Sequence, residues 1–243
     1  MSACAPTTEA GPGIVSTSLC GDSYVLAGGA DVAALSWQSG GPLGSGWGGL
    51  KASADPERLV ALQPEVLVLG PGESVRDGVL PNTEIIRLDW VEDWEGVKTN
   101  SSLVAATAGT QHMAEGAPSL DPGLRRDKRE HVSILYLSRA GGTAGPGTYV
   151  DAAIRMAGGR NIVTTPGWST PDPEWILAQD PDVVLTSFFA AYESVNAPVA
   201  RPGAVRSFVS ARRRIDVPGR LWPCAGPGLI GAAELISAGL DEL

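Results

Sequence analysis

The run YLSRAGGTAGPGTYVDAAIRMAGGRNIVTTPGWSTPDPEW, residues 136–175, decides the fold. It continues an apolar strand that begins at Ile134, passes Ser138-Arg139 into the loop 140–148, and becomes a helix from Tyr149 to Met156 that stops at Gly158-Gly159. Asn161 opens a short extended piece, 166–170 form a second loop, and Asp172-Pro173-Glu174 start another helix. The strand is β-branched and aromatic, and its loop is too rich in Gly and Pro to be anything but a turn at a sheet's end. Loops at the carboxyl ends of strands are where open α/β sheets hold ligands.

Outward from this run the same grammar recurs. DPEWILAQDPDVVL, residues 172–185, has the layout of DPERLVALQPEVLV, residues 55–68: an acidic cap, proline in the first turn, an apolar helix, a proline stop and a buried strand. In the first half, Ile14 to Ser16 start a strand that runs out into the loop 17–22 before a helix over Tyr24 to Ala27. A strand over 31–37, a Gly-rich loop over 38–49, a strand over 84–88 and a helix over 92–106 follow. In the second half, Ser187 to Tyr192 read as a loop, 201–209 as a helix, 215–217 and 221–222 as short strands, and 229–240 as a helix with one apolar side. Strand and helix in turn imply parallel sheets with helices on their faces. The fold class is α/β, two lobes each with a small mostly parallel sheet. The expected domains are an N-terminal lobe over 13–108, a linker over 109–131, where Gly116, Pro118, Pro122 and Gly123 break the pattern, and a C-terminal lobe over 132–243.

Composition removes several functions. A net charge of −9 and a pI near 4.7 argue against nucleic acid, which requires a basic surface. Arg212-Arg213-Arg214 is the one basic run and reads as a solvated loop. No segment has the unbroken apolar length of a membrane span. The 2 histidines, His112 and His131, leave no His-rich zinc cluster and read as surface residues. GPGESVRDG and AGGTAGPGT match neither phosphate-binding loop pattern, and no nucleophile elbow occurs, so an enzyme ranks second.

IVSTSLCGD at the start, DPERLVALQPEVLVLG, AGGRNIV and TPDPEWILAQDPDVVLTS, in this order, resemble the substrate-binding proteins of bacterial ABC importers for cobalamin, iron-siderophore and haem. The resemblance covers most of the chain from Ile14. It implies two α/β lobes joined by a long rigid helix, with ligand in the cleft between them; here the joining stretch is short and carries Pro and Gly. It implies a non-catalytic, periplasmic receptor for a metal chelate, a ferric siderophore or a cobalamin-like corrinoid, delivered to an ABC permease with its ATPase. No cofactor of its own is expected. A haem or free-metal receptor and a non-transport α/β enzyme are the alternatives. Ser2-Ala3-Cys4 resembles the small-residue run around the acylated cysteine of a bacterial lipoprotein, so the expected link to the membrane is a lipid anchor or the permease. Glu73 and Glu193 fall where the family docks an acidic residue of each lobe on permease arginines.

In such a cleft the lining would come from the strand-end loops, into which fall Trp37, Trp90, Trp168 and Trp222 of the 7 tryptophans; Trp47, Trp94 and Trp175 read as core. Indole gives a large flat surface at low entropic cost, suited to a macrocycle. Arg139 is placed to grip a carboxylate or to form a structural ion pair. Tyr149 and Tyr192 are candidate hydroxyl donors or, less readily, phenolate ligands to iron. Cys20 and Cys224 are first of all small buried residues, then a disulfide, then soft-metal thiolates.

Overall fold

The computed structural model describes residues 13–37, 49–108, 131–138, 141–188, 203–221 and 223–243. The linker expected before His131, together with Arg139, Tyr192, Glu193 and Trp222, lies outside them. Two compact units emerge. Of the described residues, 13–37, 49–89 and 100–108 form the first and the rest, including 90–99, form the second.

In the first unit β1 (Ile14–Ser16) leads into α1 (Leu19–Ala27), followed by β2 (Val32–Ser36), β3 (Leu50–Ala52), α2 (Pro56–Leu62), β4 (Val66–Leu69), β5 (Glu84–Arg87) and the latter part of α3 (Trp94–Ala108). All neighbours run parallel, in the order β3-β2-β1-β4-β5. The order reverses between β1 and β4, and that reversal leaves a crevice at their carboxyl ends. Asp55 caps α2 as its position predicts, its carboxylate accepting from Glu57 N at 3.1 Å. Val15, Ala34, Leu67 and Leu69 of the sheet bury against Leu59 of α2. Each of the Val and Leu side chains, fully removed from water, contributes about 1.5–3 kcal/mol before entropy is counted.

The second unit strings β6 (Ser133–Ser138), β7 (Thr143–Ala144), α4 (Tyr149–Met156), β8 (Arg160–Asn161), β9 (Trp168–Ser169), α5 (Pro173–Leu177), β10 (Val183–Phe188), α6 (Gly203–Ser210), β11 (Arg213–Pro218) and α7 (Leu229–Asp241). Its parallel sheet has the order β11-β10-β6-β8, reversing between β6 and β10. Leu135, Leu137 and Val184 pack on Ile176 of α5 and on Val205 and Phe208 of α6. On the opposite face α4 and α7 lie side by side. Gly159 and Gly239 allow close approach there, since a Cβ at either would stand 2.4 Å and 2.7 Å from Ile134 and Ile215.

Several expectations are corrected. The loop 17–22 is the first turn of α1: Ser18 is its N-cap, Oγ accepting from Gly21 N at 3.0 Å. β7 and β9 lie in stretches read as loops, β3 follows the loop 38–49 where no element is expected, and β10 extends through Phe188. Asp172 occupies the N-cap of α5 but makes no capping hydrogen bond, so the two DPE motifs are alike in backbone and not in chemistry. Arg213 and Arg214 belong to β11, while Arg212 stacks over Phe208 at 3.7 Å and pairs with Asp180. Leu221 ends a short 3-10 turn rather than a strand. Trp175 is 37% exposed and no core residue, because α5 is too short to bury more than Ile176.

One clasp fixes the start of the second sheet. Asp182 Oδ2 accepts from both Ser133 N at 2.7 Å and Ser133 Oγ at 2.6 Å, and these bonds hold its carboxyl below the ordinary value of 3.8. A depressed carboxylate contributes stability above its unfolded pKa and loses it as pH falls through the folded value. The melting temperature of wild type should therefore exceed that of Asp182→Asn at neutral pH, with the gap closing below about pH 4. A gap independent of pH would assign the clasp no ionic part.

Candidate functional site

Geometry singles out the carboxyl end of β6. Ser138 closes a tight turn, its N–H donating to Gly142 O at 2.8 Å and its Oγ accepting from Gly142 N at 3.0 Å. The chain then doubles back as β7, whose Ala144 pairs antiparallel with Trp168 of β9. Two further bonds extend this ladder, Gly145 N to Gly167 O at 2.9 Å and Gly167 N to Pro146 O at 2.8 Å. Thr148 caps α4, accepting from Asp151 N at 3.2 Å, and Tyr149 is the first helical residue. The result is an aromatic platform. The Trp168 ring lies 5.2 Å from that of Tyr149, tilted by 58°, and 6.3 Å from Tyr136 at 77°. Tyr136 is buried, yet Trp168 is 53% exposed, so one side of the indole is packed and the other is open.

Behind the platform Asn161 ties three elements together. Its Nδ2 donates to Ala144 O at 2.9 Å and to Asp151 Oδ1 at 3.0 Å, and its Oδ1 accepts from Val163 N at 3.1 Å. Asp151 also holds Arg155 at 3.0 Å. A hollow of about 480 Å³ flanks β8 beside this network, lined by Pro146, Asp151, Arg155, Asn161 and Thr164 among others. Burial pushes the Tyr149 phenol up to about 12. It is therefore protonated at neutral pH and suited to donate a hydrogen bond, which weighs against the phenolate role.

The first unit has its own polar cluster at the strand ends. Thr17, at the end of β1, donates its hydroxyl to Glu73 Oε2, which also accepts from Gly70 N at 2.8 Å. Glu73 is half-buried, with Oε1 outside these bonds. Gly70 has to be glycine, because a Cβ would stand 2.4 Å from Ser18 Oγ. Beneath, the buried Asp22 takes Ser36 N at 3.0 Å and Ser36 Oγ at 2.5 Å, its pKa raised by desolvation against those bonds. Trp37, at the end of β2, is 65% exposed with the Arg58 guanidinium 5.6 Å from its ring centre.

Of the residues singled out in sequence, the second unit holds Trp168 and Tyr149 in contact and Trp90 at 79% exposure; Trp37, Cys20 and Glu73 belong to the first. Cys20, buried in α1, is disulfide-bonded, as is Cys224, which sits in a left-handed turn with φ 53°. The leading expectation of plain buried thiols is overturned, and neither sulfur is a thiolate ligand. Tyr136, Asn161 and Gly145 were not singled out. Among the described residues no three His, Cys, Asp or Glu side chains gather as a metal site, and no helix is long and apolar enough to cross a membrane.

No protein-family model matches the chain. A cobalamin-binding protein, found in two strains of Halobacterium salinarum, is 29% identical over 160 residues, covering 59% of this chain and 43% of the relative. The chain thus spans less than half the length of these curated relatives. Among solved structures, the periplasmic heme-binding protein HutB of Vibrio cholerae superposes with a TM-score of 0.71 at 19% identity, over 93% of this chain and 97% of that one. The periplasmic heme-binding protein RhuT from Roseiflexus, in apo form, gives 0.70 at 20%, over 94% and 99%. The periplasmic vitamin B12-binding protein BtuF of Vibrio cholerae gives 0.66 at 17%, over 94% and 96%. Over nearly its whole length the chain therefore has the two-lobed α/β fold of the periplasmic heme- and vitamin B12-binding proteins.

Proposed function

We propose that this chain is the solute receptor of an ABC importer, periplasmic and non-catalytic, which captures a metal chelate and delivers it to a permease with its ATPase. The observation that carries this reading is Trp168, a half-open indole braced on Tyr149 at the carboxyl end of β6. Large exposed aromatics at a strand-end crevice are poor core and good platform. The fold supports the receptor class, and the cobalamin-binding relative supports a corrinoid.

The protonated Tyr149 favours a chelate whose metal brings its own ligands over one that takes a ligand from the protein. A ferric siderophore and a cobalamin-like corrinoid both meet that condition, and the cobalamin-binding relative puts the corrinoid first, with haem as the second reading on the strength of the heme-binding neighbours. Trp37, Trp90, Arg139, Tyr192 and Trp222 are proposed as further ligand residues, and Glu73, through Oε1, and Glu193 as permease contacts. Calorimetric titration with cyanocobalamin, a ferric hydroxamate siderophore and haemin tests the reading. Saturable one-to-one binding of cyanocobalamin is expected, and absence of saturable binding by all three would remove the receptor function.

A further inference from the structure

We propose that Glu92 is a charge selector at the rim of the aromatic platform, admitting a chelate fringed with neutral amides and turning away one fringed with carboxylates. The proposal rests on the receptor reading above. Residues 90–99 belong to the same unit as the platform. The Glu92 carboxylate lies over Gly147: a Cβ there would stand 3.5 Å from Oε2 and 3.9 Å from Cδ. Gly147 is left-handed, at φ +78°, two residues before Tyr149. Pro146, just before it, is bonded to Gly167, the neighbour of Trp168. The carboxylate is thus carried to the edge of the surface that Tyr149 and Trp168 form.

Nothing described neutralises it. Glu92 is exposed and makes no hydrogen bond or ion pair among the described residues. The neighbouring acids are otherwise engaged, Asp93 accepting from Gly96 N at 2.9 Å and Glu95 pairing with Lys98 at 2.6 Å. On α4, Arg155 is committed to Asp151. A ligand amide can donate an N–H to the free carboxylate, whereas a ligand carboxylate meets a like charge, on a chain whose net charge is already −9. At about 5 Å the repulsion is worth on the order of five- to tenfold in affinity at low salt.

The test compares cyanocobalamin with its monocarboxylic acid, in which one side-chain amide is hydrolysed and the macrocycle is otherwise identical, on wild type, Glu92→Gln and Glu92→Lys. Wild type should prefer the amide about five- to tenfold at low ionic strength, with the preference shrinking as salt is raised. Glu92→Gln should abolish the preference and Glu92→Lys reverse it. The same preference in Glu92→Gln as in wild type, with cyanocobalamin still bound, overturns the selector and leaves the receptor standing. Wild type that binds neither compound overturns the corrinoid reading and the selector with it.

Discussion

Trp168→Ala should weaken cyanocobalamin binding by about thirty- to a hundredfold, the range expected when a central aromatic anchor is truncated. The indole is 53% exposed, so its open face contributes little to the core, and the melting temperature should fall only slightly. Its other face touches Tyr149 and Tyr136, which keeps it from collapsing onto the loop and holds it ready for ligand. Trp168→Phe should recover part of the loss, because a smaller ring keeps the stacking and gives up area. Calorimetry beside a thermal melt separates the two effects. Unchanged affinity in Trp168→Ala would remove the platform from the binding account.

Gly145→Ala should cost about 2–4 kcal/mol of stability, a large effect for one methyl group. Its Cβ would stand 1.9 Å from the Thr165 carbonyl oxygen and 2.9 Å from its carbon, both backbone atoms that cannot rotate aside. Relief requires the 163–167 segment to move, which breaks the bonds from Gly145 N to Gly167 O and from Gly167 N to Pro146 O. Trp168 moves with it, so ligand affinity should fall alongside stability. Gly167→Ala is the control. Gly167 is left-handed at φ +77° with nothing within 4 Å of its would-be Cβ, so only the backbone penalty of about 1–2 kcal/mol applies. Urea denaturation of the two variants should rank Gly145→Ala well below Gly167→Ala, and the reverse order would refute the steric argument.

What the sequence made legible follows from how local each signal is. The strand before Ser138, the helix from Tyr149 and the stop at Gly158-Gly159 are each written in a few adjacent residues, and all stand where expected. β7 and β9 are two residues each and pair across more than twenty positions, so neither carries a period that a window can detect. The start of α1 is hidden by Gly21, a poor helix former that fits a crowded position, where a Cβ would stand 2.4 Å from Ser16 Oγ and 3.2 Å from Val68 Cγ1. The site divides in the same way. Trp168 and Tyr149 were visible as aromatics beside Gly and Pro. Tyr136 reads as plain strand, and Asn161 as a connector, because two of its three bonds reach back ten and more residues, to Asp151 and Ala144. Glu92 carries no local mark at all.

The strand orders also bear on how the molecule is made. The central strand of each sheet waits for a distant partner: Ile14 pairs with Val66, and Ile134 with Val183. Pairings of that separation are slow to find, and domains tend to fold as they emerge during synthesis. Neither half can close the middle of its sheet until some fifty further residues have been polymerised, so any nascent fragment cut short of Val183 would leave one edge of the apolar β6 unpaired and prone to aggregate.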